Sequence, residues 1–373
     1  MTEKKSSRRH SGRPTVSDVA QLARCSPMTV SRVINGHTNV SHDIRLAVEA
    51  AIQQLNYTPN KAARSLAGAM QMRIALLYAN PSASYLSELL LGCLDEAAKA
   101  DVHLVVERFI AGEDEEKVIA RLMAGGIDGF LLPPPLCDQA SLLERLESLQ
   151  APAVLIGPGR AEAPHGAVVI DDYRAAYDMT HHIIARGHQR IGFIIGHPSQ
   201  SASQLRHDGF RDAMAEAGLP IDPELVRQGL FTYRSGFEAA SALLDLPAAP
   251  TAIFASNDDM AAGCVAAAQR RHLEVPDDLT VCGFDDTSMA TKIWPELTTI
   301  RQPIHDMACQ ALAMLTEDIR AARTGKDTPV RQAVLAYTLI QRNSDAAPQA
   351  SLPITARGSR KPGKNRAGRQ ALS

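Results

Sequence analysis

Between Ile74 and residue 284 the chain alternates short apolar runs with amphipathic stretches, and this alternation restricts its fold more than any other feature. IALLY (74–78), VHLVV (102–106), GFLL (129–132), AVLI (153–156) and VVI (168–170) read as strands. Helical stretches near 85–99, 115–124 and 139–149 separate the first four. The series restarts with IGFII (191–195), AIF (252–254) and TVCGF (280–284), again with helical sequence between them. Strands that are apolar almost throughout must be covered on both faces, and a helix between two strands returns the chain parallel. Two successive sets predict two similar α/β lobes.

A different pattern precedes them. In TVSDVAQLARCSPMTVSRVIN (15–35), Thr15 is placed to cap a short helix, with Asp18 at the reciprocal position of a capping box. Val19, Ala20 and Ala23 give that helix its apolar face. Ser26 is the next N-cap, Pro27 takes the first helical position where its missing N–H costs nothing, and Val30, Val33 and Ile34 form the second apolar face. Asn35-Gly36 stops the helix. Helices this short need each other, and joined by a tight turn they predict a helix-turn-helix. Met28, Thr29, Ser31 and Arg32 lie near the start of the second helix, where a recognition helix meets base edges in the major groove. Ser41 is placed to cap a third helix, whose Ile44, Val48, Ile52 and Leu55 close a small core.

Charge is distributed unevenly. Residues 1–71 hold ten Lys/Arg against four Asp/Glu, and residues 346–373 hold six Lys/Arg and no acid. Each end therefore carries +6, which leaves −14 on residues 72–345 of a chain with net charge −2. A basic head and tail on an acidic body point nucleic acid to the ends. Residues 1–13 and 346–373 lack the apolar content to order themselves and read as a disordered basic arm and tail. The six cysteines show no C-x-x-C spacing, which predicts reduced thiols and no zinc site. No apolar run is long enough to span a bilayer, and the polar N-terminus does not read as a signal peptide, so the expected location is the cytoplasm.

The segment 15–35 closely resembles the lactose-repressor (LacI/GalR) family of bacterial transcription regulators, whose signature runs T-x-x-D-V-A-x-x-A-G-V-S-x-x-T-V-S-R-x-x-N. The resemblance implies that Thr15, Ser26, Pro27, Met28, Thr29, Ser31, Arg32 and Asn35 meet DNA. One departure is Arg24, where the family usually places the glycine of the inter-helix turn. If the position keeps φ > 0, arginine there costs up to roughly 1 kcal/mol relative to glycine. After Tyr57-Thr58-Pro59 breaks the third helix, NKAARSLAG (60–68) resembles the family's hinge helix, YxPNxxAxxLxG. That likeness implies minor-groove contacts from Asn60, Lys61 and Ala63, with Leu66 as an apolar wedge at the central base step.

The resemblance extends through HHIIARGHQRIGFI, R-x-x-GF at 206–210, FASNDDMAAG, CGFDD and PELTTIRQP. It implies a periplasmic-binding-protein-like core whose chain crosses between lobes three times. The expected organisation is a helix-turn-helix domain at 14–58, a hinge at 59–71 and a core at 72–345. Lobe 1 would span 72–171 and 301–332, and lobe 2 172–300 and 333–345. Ligands of open α/β sheets bind beyond the carboxyl ends of the strands, where Asn80, Asn257-Asp258 and Asp285 fall. By resemblance, Arg206 grips the ligand, Phe231 stacks on it, Asp285 accepts its hydrogen bonds, Gln302 lines the cleft from a crossover and Tyr85 closes it. Gly157 stands where the family often has an acidic sugar contact.

Other chemistry finds little support. His181-His182 and His188 have no carboxylate or cysteine at ligand spacing, so no metal is expected. Gly157-x-Gly159 lacks the third glycine and the following helix of a dinucleotide site, and no cofactor is expected. Nothing resembles G-x-S-x-G, H-E-x-x-H or a phosphate loop, which argues against an enzyme. The sequence thus predicts an all-α DNA-binding head on a two-lobed α/β core. Its expected function is that of a homodimeric repressor of carbohydrate-utilisation genes on a palindromic operator, controlled by a sugar or sugar phosphate. The rival readings are a sugar-binding protein and a sugar-metabolising enzyme with an appended DNA-binding domain.

Overall fold

The computed structural model describes residues 14–34, 40–55, 57, 71–110, 112, 114–159, 165–326 and 328–349. They form two units, one within residues 1–71 and the other from Met72 onward.

The first unit is helical: Val16–Leu22 (α1), Pro27–Ile34 (α2) and His42–Gln54 (α3). Its start is fixed by the predicted capping box. The Thr15 hydroxyl accepts from the Asp18 N–H at 3.3 Å, while the Asp18 carboxylate accepts from the Thr15 N–H at 2.7 Å. Ser26 caps α2, accepting from the Thr29 N–H at 3.1 Å. Between the two helices Arg24 sits at φ +51°, so the turn keeps its left-handed residue although a side chain occupies it. Val19, Ala20, Val30, Val33, Val48, Ala51 and Tyr57 make the core. Two expectations need correction. Ser41 stands at the N-cap of α3 but its side chain makes no cap bond, because its backbone does not adopt the usual cap conformation. Ile44 is 39% exposed, since it lies in the first turn of α3, and Ala51 fills the space between Val48 and Ile52 instead. Asn35, Asn60, Lys61, Ala63 and Leu66, the terminal arm, residues 350–373 of the tail and the hinge up to residue 70 lie outside the described residues.

The second unit contains two six-stranded sheets of matching strand order. The first holds Arg73–Tyr78 (β1), His103–Arg108 (β2), Gly129–Leu132 (β3), Ala153–Ile156 (β4), Gly166–Val169 (β5) and Gln332–Val334 (β11), ordered β11-β5-β4-β3-β1-β2 and all parallel. The second holds Ile191–Ile195 (β6), Val226–Gln228 (β7), Ala252–Ala255 (β8), Thr280–Asp285 (β9), Thr298–Arg301 (β10) and Thr338–Ile340 (β12), ordered β12-β10-β9-β8-β6-β7. In it only β12 runs antiparallel to its neighbour. Strands β3, β4, β8 and β9 are buried at every residue, the burial that two covering helix layers impose.

The helices are Ala83–Ala100 (α4), Glu115–Ala124 (α5), Ala140–Ser148 (α6), Asp172–Ala185 (α7), Ser201–Glu216 (α8), Tyr233–Leu244 (α9), Asp258–Arg270 (α10), Ser288–Lys292 (α11) and Ile304–Arg323 (α12). Glycines let three pairs approach closely. A Cβ on Gly92 would lie 2.2 Å from the His305 carbonyl oxygen, on Gly209 2.2 Å from that of Tyr173, and on Gly236 2.3 Å from that of Met260. The chain passes between the sheets after β5, after β10 and after β11. The pairing of β10 with β9 keeps residue 301 in the second sheet, and that of β11 with β5 keeps Ala333 and Val334 in the first.

Candidate functional site

Both sheets reverse their strand order next to their first strand, β1 or β6, and at such points an open α/β sheet leaves a crevice beyond its strand ends. A narrow cleft, partly open to solvent, lies there. Asn80, Ser82, Tyr85, Pro134 and Gly157 line it from the first sheet's side. Asp172, Gln200, Ala202, Arg206, Phe231, Asn257 and Asp285 line it from the second, and Gln302 from the crossover. All seven expected effector residues are thus brought together. Ser82, Pro134, Asp172, Gln200 and Ala202 were missed: they carry no motif and reach the cleft only through the packing of the sheets.

Arg206 organises the charge. On α8 it is buried, with its Nε 2.7 Å from the Asp172 carboxylate and one terminal nitrogen 2.6 Å from the Ser256 carbonyl and 3.7 Å from Asp285. Its guanidinium lies 3.6 Å from the centre of the Phe284 ring. Gln302 donates to Asp285 at 2.6 Å, which sets the amide's orientation and one carboxylate oxygen's role. Burial pushes the Asp285 carboxyl up to about 7, against the opposing pull of Arg206 and Gln302. Burial likewise raises Asp172, with Arg206 opposing. The Tyr85 phenol is also raised, chiefly by burial.

Phe231 and Asp285 adopt φ +58° and +113°, a region that residues with side chains rarely occupy. The surroundings hold both there. The Asn257 amide donates to the Phe231 carbonyl at 3.2 Å while its oxygen caps α10 through the Met260 N–H at 2.9 Å. Gly196 accommodates the Phe231 ring, because a Cβ there would lie 2.0 Å from it. Backbone strain of this kind persists where the surroundings over-determine it, and it concentrates at ligand sites. Asn257 therefore acts chiefly by placing Phe231. Asn80 is similarly engaged, accepting from the Ser82 N–H at 2.8 Å and donating to the Pro134 carbonyl at 3.3 Å. Among the described residues, the Tyr85 hydroxyl and the second terminal nitrogen of Arg206 make no hydrogen bond, and both face the cleft's charged groups.

Neighbouring carboxylates have other work. Asp258 is fully buried and accepts from the Thr287 N–H at 2.8 Å and the Thr299 hydroxyl at 2.7 Å, joining α10 to β10 and to the cap of α11. Asp286 pairs with Arg301 and Arg342, each at 2.6 Å. Hydrogen bonds cross the cleft: Ser82 donates to Asp259, the Ser201 N–H and hydroxyl donate to Asp138, and the Gly159 N–H donates to Ser201 at 2.6 Å. The histidines are tied into the fold. His182 lies 2.8 Å from Asp345, and His188 2.8 Å from both the Thr251 hydroxyl and the Ala346 carbonyl.

In the helical unit, Thr15, Ser26, Pro27, Met28, Ser31 and Arg32 are exposed. Thr29 is half-buried, with its hydroxyl 2.8 Å from that of Ser26. Met28, at 67% exposure, has no apolar partner surface to explain it.

Residues 15–60 match the bacterial regulatory proteins of the lacI family, and residues 180–344 match a periplasmic binding protein-like domain. The chain is 36% identical over 333 residues to the HTH-type transcriptional regulator DegA of Bacillus subtilis (strain 168), covering 88% of this chain and 97% of that one. It belongs to the lacI family. Catabolite control protein A of Priestia megaterium is 34% identical over 81% of this chain and 92% of its own. Among solved structures, the lac repressor dimer bound to operator and the anti-inducer ONPF matches with a TM-score of 0.71 at 27% identity, covering 90% of this chain and all of that one. The transcriptional regulator CelR in complex with cellobiose matches at 0.67 and 31%, covering 89% and 100%. As a lacI-family member, the chain is a DNA-binding transcriptional regulator with a ligand-binding core. Among the described residues no helix is long and apolar enough to cross a membrane.

Proposed function

We propose that this regulator represses carbohydrate-utilisation genes as a homodimer on a palindromic operator and that a sugar-like effector bound between the lobes controls it. The observation that carries the reading is the cleft itself. A buried arginine, two carboxylates, four amides and a tyrosine surround one aromatic face, on a chain that also bears a helix-turn-helix. A polyhydroxylated ring needs a partner for each buried hydroxyl and an apolar surface for its C–H face. CelR with cellobiose supports the same class of ligand. The cleft carboxylates fit binding better than catalysis, because Asp172 and Asp285 are both engaged by Arg206 and Asp285 also by Gln302.

In the head, Arg32 and Met28 would read base edges, Thr15, Ser26, Pro27, Thr29, Ser31 and Asn35 would fix the register, and Asn60, Lys61, Ala63 and Leu66 would engage the minor groove. Leu91 and Leu94 on α4 are about half exposed and Val106 on β2 nearly so, apolar surface that a second copy would cover. Effector and operator affinities would be linked reciprocally through the dimer.

The test is a thermal-shift screen of the full chain against sugars, repeated with operator DNA, followed by operator titration. A sugar that raises the melting temperature and also changes operator affinity is expected. A chain that no sugar stabilises, or whose operator affinity no stabilising sugar alters, would sink the proposal.

A further inference from the structure

We infer that the cleft selects an uncharged ligand and rejects phosphorylated or carboxylated sugars; this rests on the carbohydrate reading above and narrows it. Among the residues lining the cleft, one cation, Arg206, faces two carboxylates, Asp172 and Asp285. Among the described residues lining the cleft, an arriving anion finds no cation that is not already matched.

Helix N-termini are the other source of positive potential in such folds, and four lie at this cleft. Each is already neutralised by the protein. Helix α7 begins with Asp172, behind the Asp171 side chain that caps it through the Arg174 N–H at 2.8 Å. Helix α10 begins with Asp258 and Asp259. The N–H of Ser201 at the start of α8 is bound by the Asp138 carboxylate at 3.0 Å, reaching over from the other side of the cleft. The cap of α4, Ser82, spends its hydroxyl hydrogen on Asp259. Protein carboxylates thus stand on or beside each of these helix starts. A ligand phosphate would be desolvated beside Asp172, Asp285 and Asp259, with only Arg206, already engaged by Asp172 and Asp285, to offset the repulsion. Burial is what chiefly raises the Asp285 carboxyl, and the charges of Asp259 and Asp172 add to the rise in smaller measure. Neutral hydroxyls meet what is left: carboxylate oxygens as acceptors, and the free terminal nitrogen of Arg206 and the Tyr85 hydroxyl as donors.

The experiment is calorimetric titration of the full chain with matched pairs: glucose and glucose 6-phosphate, ribose and ribose 5-phosphate, galactose and galacturonate, cellobiose and cellobionate. The neutral member of the binding pair should bind at least about 100-fold more tightly than its anionic partner, the scale of one unit charge facing another a few ångströms away at low effective dielectric. Bulk is separated from charge by Asp259→Asn, which keeps an oxygen to accept from Ser82 and contacts no ligand-lining arginine; it should shrink the ratio about tenfold. An anionic member that binds as well as or better than its neutral partner overturns this inference and leaves the carbohydrate reading intact. A ratio unchanged in Asp259→Asn overturns it as well, since exclusion would then be steric. Absence of binding by every member removes the carbohydrate reading, and this inference with it.

Discussion

Replacing Arg206 with alanine tests whether the charge arrangement in the cleft is also a structural keystone. The side chain is 5% exposed, and its loss leaves Asp172 without its 2.7 Å partner, Asp285 without its nearest cation and the Ser256 carbonyl without a donor. Removing one member of a buried ion pair costs about 3–5 kcal/mol, because the remaining charge stays desolvated. Protonation can relieve that charge, and this gives the variant a pH signature. Asp172 and Asp285 are both raised by burial while Arg206 holds them down. A carboxyl with a raised folded-state value binds its proton more tightly folded than unfolded, so stability is greatest at low pH. It then falls as pH rises from the ordinary carboxylate value toward about 7 for Asp285. Without the guanidinium this window extends upward. Urea unfolding of the full chain, followed by circular dichroism, should therefore show a loss of about 3–5 kcal/mol for Arg206→Ala at pH 8 and a clearly smaller loss at pH 5.5. A loss below about 1 kcal/mol at pH 8, or equal losses at the two pH values, would refute the argument. The same reasoning makes Arg206→Ala a poor probe of ligand contact alone.

Arg24→Gly should stabilise the helical unit by up to about 1 kcal/mol, because φ +51° suits glycine better; an unchanged or lower unfolding midpoint of that unit, followed by its amide exchange, would show that the arginine compensates elsewhere. Arg32→Ala should weaken operator binding by about 1–3 kcal/mol with little effect on random DNA, and equal losses on both in a fluorescence-anisotropy titration would mark it as a phosphate contact. Leu66→Ala should reduce operator affinity and DNA bending together while sugar affinity holds; bending that survives would remove Leu66 from the central base step. Gly209→Ala should lower core stability by about 1–3 kcal/mol, since the new methyl meets the Tyr173 carbonyl, and unaltered urea unfolding would contradict the close α7–α8 crossing.

Features decided over a few residues were legible in the sequence. Although the left-handed turn at Arg24 is anticipated only from the glycine the family usually has there, the Thr15–Asp18 capping box and the Ser26 cap involve partners within a turn, so residue order alone specifies them. The same holds for the long buried strands, whose apolar runs are a local signal. The edge strands β7, β11 and β12, three residues each and only partly buried or exposed, carried no such signal and exist because a neighbouring strand offers hydrogen bonds. The resemblance supplied Arg206, Phe231, Asp285 and Gln302. It could not say that Asn257 would spend its amide on the Phe231 carbonyl, or that Ser41 would leave α3 uncapped.

The clearest division lies between two aspartates. Asp258 and Asp285 each follow an apolar strand and look alike in the sequence. Tertiary packing turns Asp258 inward to Thr287 and Thr299, and sets Asp285 opposite Arg206 and Gln302 at the cleft. Asp172 and Asp138 join the site from segments with no motif, because helix starts from both lobes converge on one crevice. The sequence alone determined that the chain has a DNA-reading head, two parallel-sheet lobes and a polar crevice, since local periodicity and strand-end chemistry encode these. Only the tertiary structure decided which carboxylates face the ligand and which are already taken. Net charge at a site depends on through-space pairing, which residue order does not contain.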